Sequence, residues 1–306
     1  MNTTQRLRDY DHPTLLALAE VLSPSLNGAS AHRLAEVIEL ASAAPDDVER
    51  LEPDDIAWLD DGQRAVRGER VEHWRRELDR LASVDVHLVT IADEAFPSNL
   101  RMIPNRPPLL FVRGTLERSD DRAIAVVGTR DSTERGRKCA HRIATELARL
   151  DVTVVSGLAK GIDTAAHAGA LNSGGRTLAV FGTGIETVSP VGNRGLADSI
   201  SDHGACVSQF WPNLRGAAWT FPIRNIVTSG LSVGTVVVEA GETSGARLQA
   251  QDALRHGKRL FLMRELVTAQ PWAQDAATRP GVVTVDSVDE VIEAIDLELT
   301  TEPALL

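Results

Sequence analysis

The stretch Val152–Gly174, VTVVSGLAKGIDTAAHAGALNSG, decides the fold class. Val152, Val154 and Val155 make a β-branched run, too short for a helix and apolar enough for a buried strand. Ser156-Gly157 breaks the run. Gly161 and Asp163 then open an alanine-rich helical segment, Thr164 to Leu171, which Asn172 to Gly175 stop with residues that tolerate the left-handed region. The unit is a strand, a glycine turn and a helix. At such a turn unpaired backbone N–H groups and the helix dipole converge on one point, which suits phosphate or another anion. Lys160 adds a full charge inside the turn.

The same unit recurs on either side. Ala123–Val127 (AIAVV) is followed by Gly128-Thr129-Arg130, and Ser132 or Thr133 caps a helix running to about Leu150. Thr177–Phe181 runs into Gly182-Thr183-Gly184, with a helix over Asn193–His203 and a strand over Ala205–Ser208. A longer loop, 209–221, carries tryptophans, and Pro222–Ser229 takes Arg224 and Asn225 into a helical turn. Thr235–Glu239 (TVVVE) precedes a helix opened by Ser244-Gly245 that ends near His256, and Arg259–Leu262 is the next strand. Strands alternating with helices in this way predict an α/β fold, a parallel sheet with helices on both faces. Ligands bind such sheets beyond the C-terminal strand ends, where every one of these glycine turns falls.

Val86–Ile91 and Leu109–Val112, ending at Gly114, read as two strands that extend the sheet, and 115–121 as a charged linker. Before them, residues 13–83 show helical periodicity (Leu15, Leu18, Leu22; Leu34, Val37, Ile38; Trp74, Leu78, Leu81), divided at Ser23-Pro24-Ser25, Asn27-Gly28 and Pro45-Asp46-Asp47. The expected organisation is a small all-helical domain over 1–85, an α/β core over 86–297 closed by a strand at 282–285 and a helix at 289–297, and a frayed tail over 298–306.

Composition is that of an ordinary globular protein, with 43% hydrophobic and 25% charged residues in a chain of 306. No apolar run is long enough for a membrane span, and the N-terminus MNTTQRLRDYDH lacks an apolar signal core, so a cytoplasmic protein is expected. Cys139 and Cys206 fit buried thiols in a reducing compartment. The net charge of −11 is uneven: residues 122–265 hold 17 basic and 12 acidic side chains, and the remainder 15 and 31. An acidic shell around a locally basic core is compatible with an anionic ligand at one face.

Arg130 leads the candidate phosphate contacts. It follows a strand-ending glycine, and a guanidinium matches phosphate in a bidentate fashion; the alternative is a surface arginine. Lys160 carries the same pair of readings. Asn225 beside Arg224 offers a donor and an acceptor to a base edge or sugar, or caps a helix. Asp163 and His167 have the spacing of a metal pair, but no third ligand stands near, so a cap and a structural hydrogen bond are the expected roles. Glu239 suits an acid/base role, a ribose contact, or the holding of a neighbouring loop; without a nucleophile beside it, binding or structure is favoured. Gly182-Thr183-Gly184 lacks the third glycine of the dinucleotide fingerprint, and no ATPase loop is present. Trp211, Trp219 and Phe221 stack on bases or pack the loop.

SGLAKGIDTAAHAGAL, FGTGIETVSP, FPIRNIVTSGLS and VVVEAGETSGA follow one another in the order of the DprA/Smf family, and FPSNLRMIPNRPPLLFVRG resembles that family's lead-in. The resemblance covers about 86–265. It implies an extended Rossmann-like, doubly wound sheet and a protein that binds and protects single-stranded DNA. It also implies assistance in loading a RecA-type recombinase during recombination and natural transformation. The family acts as a homodimer and is not known as an enzyme, so no catalytic residue, cofactor, metal or membrane is expected. The alternative is a nucleotide sensor or nucleotide N-glycosidase using the same pocket. The family's phosphate pocket maps onto Gly128, Arg130, Ser156, Gly157, Lys160, Arg224 and Asn225. With the turn residues Thr129, Gly161, Gly182, Gly184, Ser244 and Gly245 these make up the expected binding set. The N-terminal helices resemble a sterile-alpha-type domain. After Met263 the family's usual Pro-Gly and Gly-x-Asn segments are replaced by Arg264-Glu265-Leu266, and the winged-helix domain of some members is not expected.

Overall fold

The structure, a computed structural model, describes residues 10–42 and 51–301. The short aliphatic runs become the strands of one nine-stranded sheet: β1 Val86–Thr90, β2 Leu109–Gly114, β3 Ala123–Val127, β4 Thr153–Ser156, β5 Thr177–Val180, β6 Ala205–Ser208, β7 Gly234–Val237, β8 Arg259–Met263 and β9 Val282–Val285. Their order is β1-β2-β6-β5-β4-β3-β7-β8-β9. Strands β3 to β9 pair in parallel, with Val126 opposite Val236 and Val155 opposite Leu178. β1 and β2 add an antiparallel edge on β6. Strands β3 to β7 are buried along their whole length, which is why they read as continuous apolar runs.

The helices are α1 His12–Leu22, α2 Gly28–Ser42, α3 Pro53–Ala65, α4 Gly68–Ala82, α5 Ser98–Arg101, α6 Glu134–Arg149, α7 Ile162–Asn172, α8 Arg194–His203, α9 Thr220–Gly230, α10 Gly245–Arg255, α11 Arg264–Ala269, α12 Pro271–Ala277 and α13 Val288–Thr301. Thr133 caps α6 as its position predicts, accepting from the Gly136 N–H at 2.9 Å. The α6 stripe Ala140, Ile143, Ala144 and Leu147 packs with Ala166 and Ala170 of α7 in the core that covers one side of the sheet. A larger core runs from the other side without interruption into the N-terminal helices, joining Phe111 and Val207 to Leu16, Leu34 and Ile38. Trp74 of α4 stacks on Trp211 at 5.1 Å between ring centroids, and the Trp211 indole donates to the Pro24 carbonyl at 2.6 Å. Arg106 pairs with Glu39 of α2 at 2.5 Å. The tryptophan loop thus helps to dock the helices on the sheet.

Several expectations are corrected. Segment 115–121 is tied down, because Asp120 is 6% exposed and a carboxylate so buried needs donors. Arg176 supplies them at 2.8 and 2.9 Å, and the Thr153 hydroxyl at 2.9 Å. α11 and α12 occupy a stretch with no expected structure; Pro271 takes a first-turn position and Trp272 is buried. The closing helix spans Val288–Thr301. Cys206 is buried but Cys139 is only half-buried. The Pro45-Asp46-Asp47 turn and residues 302–306 lie outside the described residues. Among the described residues no helix is long and apolar enough to cross a membrane.

Candidate functional site

The sheet order reverses at β3, which has β4 on one side and β7 on the other. A crevice opens beyond the strand ends at such a switch point. Here it is a cleft of about 460 Å³, walled by Gly128–Asp131 after β3, Gly157 and Ala159 after β4, Phe221, Arg224, Asn225 and Thr228 of α9, and the segment after β7 with Ser244, Gly245 and Gln249. A second lobe of about 260 Å³ shares Arg130, Gly157, Ala159, Phe221 and Arg224 with it and adds Lys160, Gly182, Ser189 and Pro190.

Gly157 is the hinge of this construction. Its N–H donates to Asp163 Oδ2 at 3.2 Å, and its carbonyl accepts from Arg224 Nη1 at 2.6 Å. The same Nη1 donates to the Val180 carbonyl at 2.8 Å, tying the ends of β4 and β5 together. A Cβ on residue 157 would overlap the Arg224 guanidinium, so only glycine fits. Ala159 N–H also donates to Asp163 Oδ2, at 3.3 Å. Between these two amides Leu158 is buried in the left-handed region at φ +58°, a conformation that persists because its neighbours fix it. Its carbonyl accepts from Asn193 Nδ2 at 2.8 Å.

Four of the turn amides, those of Gly157, Ala159, Ile162 and Thr164, are therefore taken up by the protein itself. Asp163 lies in the first turn of α7, where a carboxylate is favoured by the dipole, and reaches back to close the nest. Ile162 N–H goes to the Thr129 carbonyl and Thr164 N–H to the Ala159 carbonyl. Burial pushes the Asp163 carboxyl up from its ordinary range, opposed by the charge of Arg224 and the N–H bonds. Burial likewise pulls Arg224 down, with Asp163 opposing and Arg130 adding to the fall. One turn on, His167 is fully buried. The Thr177 hydroxyl donates to the Val154 carbonyl at 2.7 Å, so His167 Nδ1 must be the donor to Thr177 at 2.7 Å. Its Nε2 has no partner, and burial, helped by Arg224, lowers the imidazole to about 3. Asp163 and His167 thus serve the fold.

Two cations that line the cleft remain outward. Arg130 is exposed, with its guanidinium 5.0 Å from the Phe221 ring centroid, and among the described residues its side chain makes no hydrogen bond or ion pair. Lys160 is exposed and equally unpaired. Some other cations of the basic segment are paired, as Lys138 is with Glu134 at 2.6 Å and Arg142 with Asp289 at 2.6 Å; Arg122, Arg194 and Arg215 are exposed and unpaired among the described residues but line neither lobe.

The structure brings together Gly128, Thr129, Arg130, Gly157, Arg224, Asn225, Ser244 and Gly245 in the larger lobe, and Lys160 and Gly182 in the smaller. Ser156, Gly161 and Gly184 do not line either. Ser156 donates to the Val126 carbonyl at 2.7 Å, Gly161 lies under the Thr129 and Arg130 carbonyls, and Gly184 packs on the Trp211 and Pro212 carbonyls. Asn225 Nδ2 donates to the Gly245 carbonyl at 3.2 Å, and Ser244 caps α10. Of the readings of Glu239, the structure realises the holding of a neighbouring loop: both carboxylate oxygens accept from Thr133, at 2.9 and 2.5 Å, outside the cleft lining. Thr228 and Gln249 were not singled out, although each stands four residues after a marked position, Arg224 and Gly245, on the same helix face.

Residues 87–296 match the family model of DNA recombination-mediator protein A. The chain is 37% identical over 172 residues to DNA processing protein DprA of Streptococcus pneumoniae, covering 56% of this chain and 61% of that protein. It is 34% identical over 216 residues to protein Smf of Escherichia coli, covering 70% and 58%. The matches thus span about three fifths of the length of these curated relatives. The X-ray structure of the Streptococcus pneumoniae DprA superposes with a TM-score of 0.67 at 25% identity, over 96% of this chain and 97% of that one. DNA processing protein A of Helicobacter pylori, solved to describe its single-stranded DNA binding mode, superposes with a TM-score of 0.62 at 20% identity, over 70% and 96%. At that identity the second likeness bears on the fold alone.

Two outcomes follow from the geometry. Gly157→Ala overpacks the Arg224 site and should destabilise the fold by about 1–3 kcal/mol, read as a lower Tm, whereas Arg130→Ala should leave Tm within error. The fold should also lose stability on acidification through His167. Unfolded, it takes up a proton below about 6.5, and folded only near about 3. Unfolding therefore binds a proton in between, and stability falls with falling pH by about 1.4 kcal/mol per unit. Denaturant titrations from pH 7 to pH 4 should show a shallower dependence in His167→Gln by that amount.

Proposed function

The chain belongs to the DNA recombination-mediator protein A family, and we propose that it serves there as a non-catalytic binder of single-stranded DNA. The observation that carries this reading is the pair Arg130 and Lys160, two unpaired exposed cations on neighbouring strand ends beside one two-lobed cleft. Successive phosphates lie against these side chains, while Arg224, held to the Gly157 and Val180 carbonyls, adds positive potential from below. The match to the DNA recombination-mediator protein A family supports DNA as the ligand. Gly128, Thr129, Gly157, Asn225, Ser244 and Gly245 shape the walls of the groove. The nucleotide-hydrolase alternative draws its acid/base group from Glu239, and both oxygens of that carboxylate already accept from Thr133.

In this reading the protein protects single strands in the cytoplasm, works as a homodimer and hands its DNA to a RecA-type recombinase in recombination and natural transformation. The helices before residue 86 form the partner-facing unit, set on the 86–297 core.

Titration with labelled single-stranded and duplex oligonucleotides at about 50 and 200 mM salt tests the reading. Single strands should bind more tightly than duplex, with affinity falling steeply with salt. Arg130→Ala combined with Lys160→Ala should weaken binding at least about tenfold and reduce the slope of log K against log salt by about 1.4, two phosphates' worth. Salt-independent binding, or a double variant that binds as the wild type does, would overturn it.

A further inference from the structure

The loop 209–221 carries four aromatic residues; Phe210 is fully buried, and the fold uses the other three in three ways. Trp211 is stacked on Trp74 and docks the N-terminal helices. Phe221 lies beneath the Arg130 guanidinium inside the cleft. Trp219 remains 44% exposed, although it is among the largest apolar side chains available. It sits at the N-cap of α9, the helix that carries Phe221, Arg224 and Asn225 into the cleft. Trp219 is not itself a lining residue, but Ala218 before it and Pro222 three residues after it line the larger lobe, so it borders that lobe along the chain. Across that lobe, Leu248 of α10 also lines the cleft and is 41% exposed. Beneath the indole, the fully buried Phe210 meets it nearly at right angles, at 84° and 5.9 Å between centroids. Such an edge-to-face contact anchors a ring while leaving surface uncovered.

A single exposed apolar residue needs no explanation. This one is anchored from below and placed at the rim of a groove whose two unpaired cations suit a nucleic-acid backbone. We propose that Trp219 is the stacking platform for a base of the bound single strand, at the lip of the cleft, while the phosphates run past Arg130 and Lys160. This rests on the single-stranded DNA reading above. Stacking tolerates any base, because every base has a π-face, so the platform adds affinity for unpaired bases without sequence preference. A duplex, with its bases stacked on one another, gains nothing from it.

The test compares wild type, Trp219→Ala and Trp219→Phe on an oligothymidylate and on an abasic deoxyribose-phosphate strand of the same length. Trp219→Ala should bind oligothymidylate roughly tenfold more weakly, with an unchanged salt slope and with no loss on the abasic strand. Trp219→Phe should recover most of the affinity. Quenching of tryptophan emission by oligothymidylate should be larger in wild type than in Trp219→Phe, a comparison that stands even if the alanine variant folds poorly. Wild-type affinity in Trp219→Ala, an equal loss on both strands, or a changed oligomeric state with unchanged base binding would overturn the platform alone. Wild type binding neither strand would overturn the phosphate reading with it.

Discussion

Gly157 is held through both its backbone polar groups by buried ionisable side chains, its N–H by Asp163 and its carbonyl by Arg224. Either side chain alone would be costly in this setting, because an uncompensated charge out of water is penalised by several kcal/mol. Together they are opposite in sign, and each is anchored to backbone groups. The arrangement ties the β4 end to β5 through Val180, to α7 through Asp163 and to α9 through Arg224. It leaves no room for a side chain at 157 and holds Leu158 in the left-handed region. The walls of the cleft are thus fixed before any ligand arrives, which spares the entropy of ordering them on binding.

This constraint redistributes the charge at the site. Asp163 takes up the Gly157 and Ala159 amides, so at these two positions an approaching phosphate meets the side-chain cations Arg130 and Lys160 instead. Arg130 and Lys160 are unpaired, whereas nearby cations such as Lys138 and Arg142 are neutralised by acidic partners. Because salt screens exposed charges beyond about 8 Å, these two side chains matter more at the cleft than the overall charge of −11. An acidic protein can therefore present a local seat for a polyanion. The salt bridges around the periphery contribute little to stability, but they determine which cations are left over.

The sheet was legible because its central strands are buried on both faces and end at glycines; β3 and β7 could be placed to within a residue or two. What eluded a linear reading were pairings between residues distant in the chain. Asp120 and Arg176 are 56 residues apart, and Glu239 and Thr133 are 106 apart; nothing local marks either pair. Hence 115–121 looked like a linker, and Glu239 kept several roles open. The closure of the anion turn by Asp163 was hidden for a different reason. A carboxylate in a first helical turn ordinarily serves its own helix, and it reaches Gly157 only because Leu158 adopts a conformation uncommon for leucine. Trp211 and Trp219 look alike in sequence, and only the docking of α4 separates a half-buried anchor from an exposed ring.

Closure of the Gly157 and Ala159 amides by Asp163 in the free protein is what leaves phosphate to the side-chain cations. Amide hydrogen exchange followed by NMR, with and without a short oligothymidylate, measures this directly. Both amides should be strongly protected in the absence of DNA and change little when it binds. Rapid exchange in the free protein that becomes slow only on adding the oligonucleotide would contradict the account, because the turn itself would then be the phosphate seat.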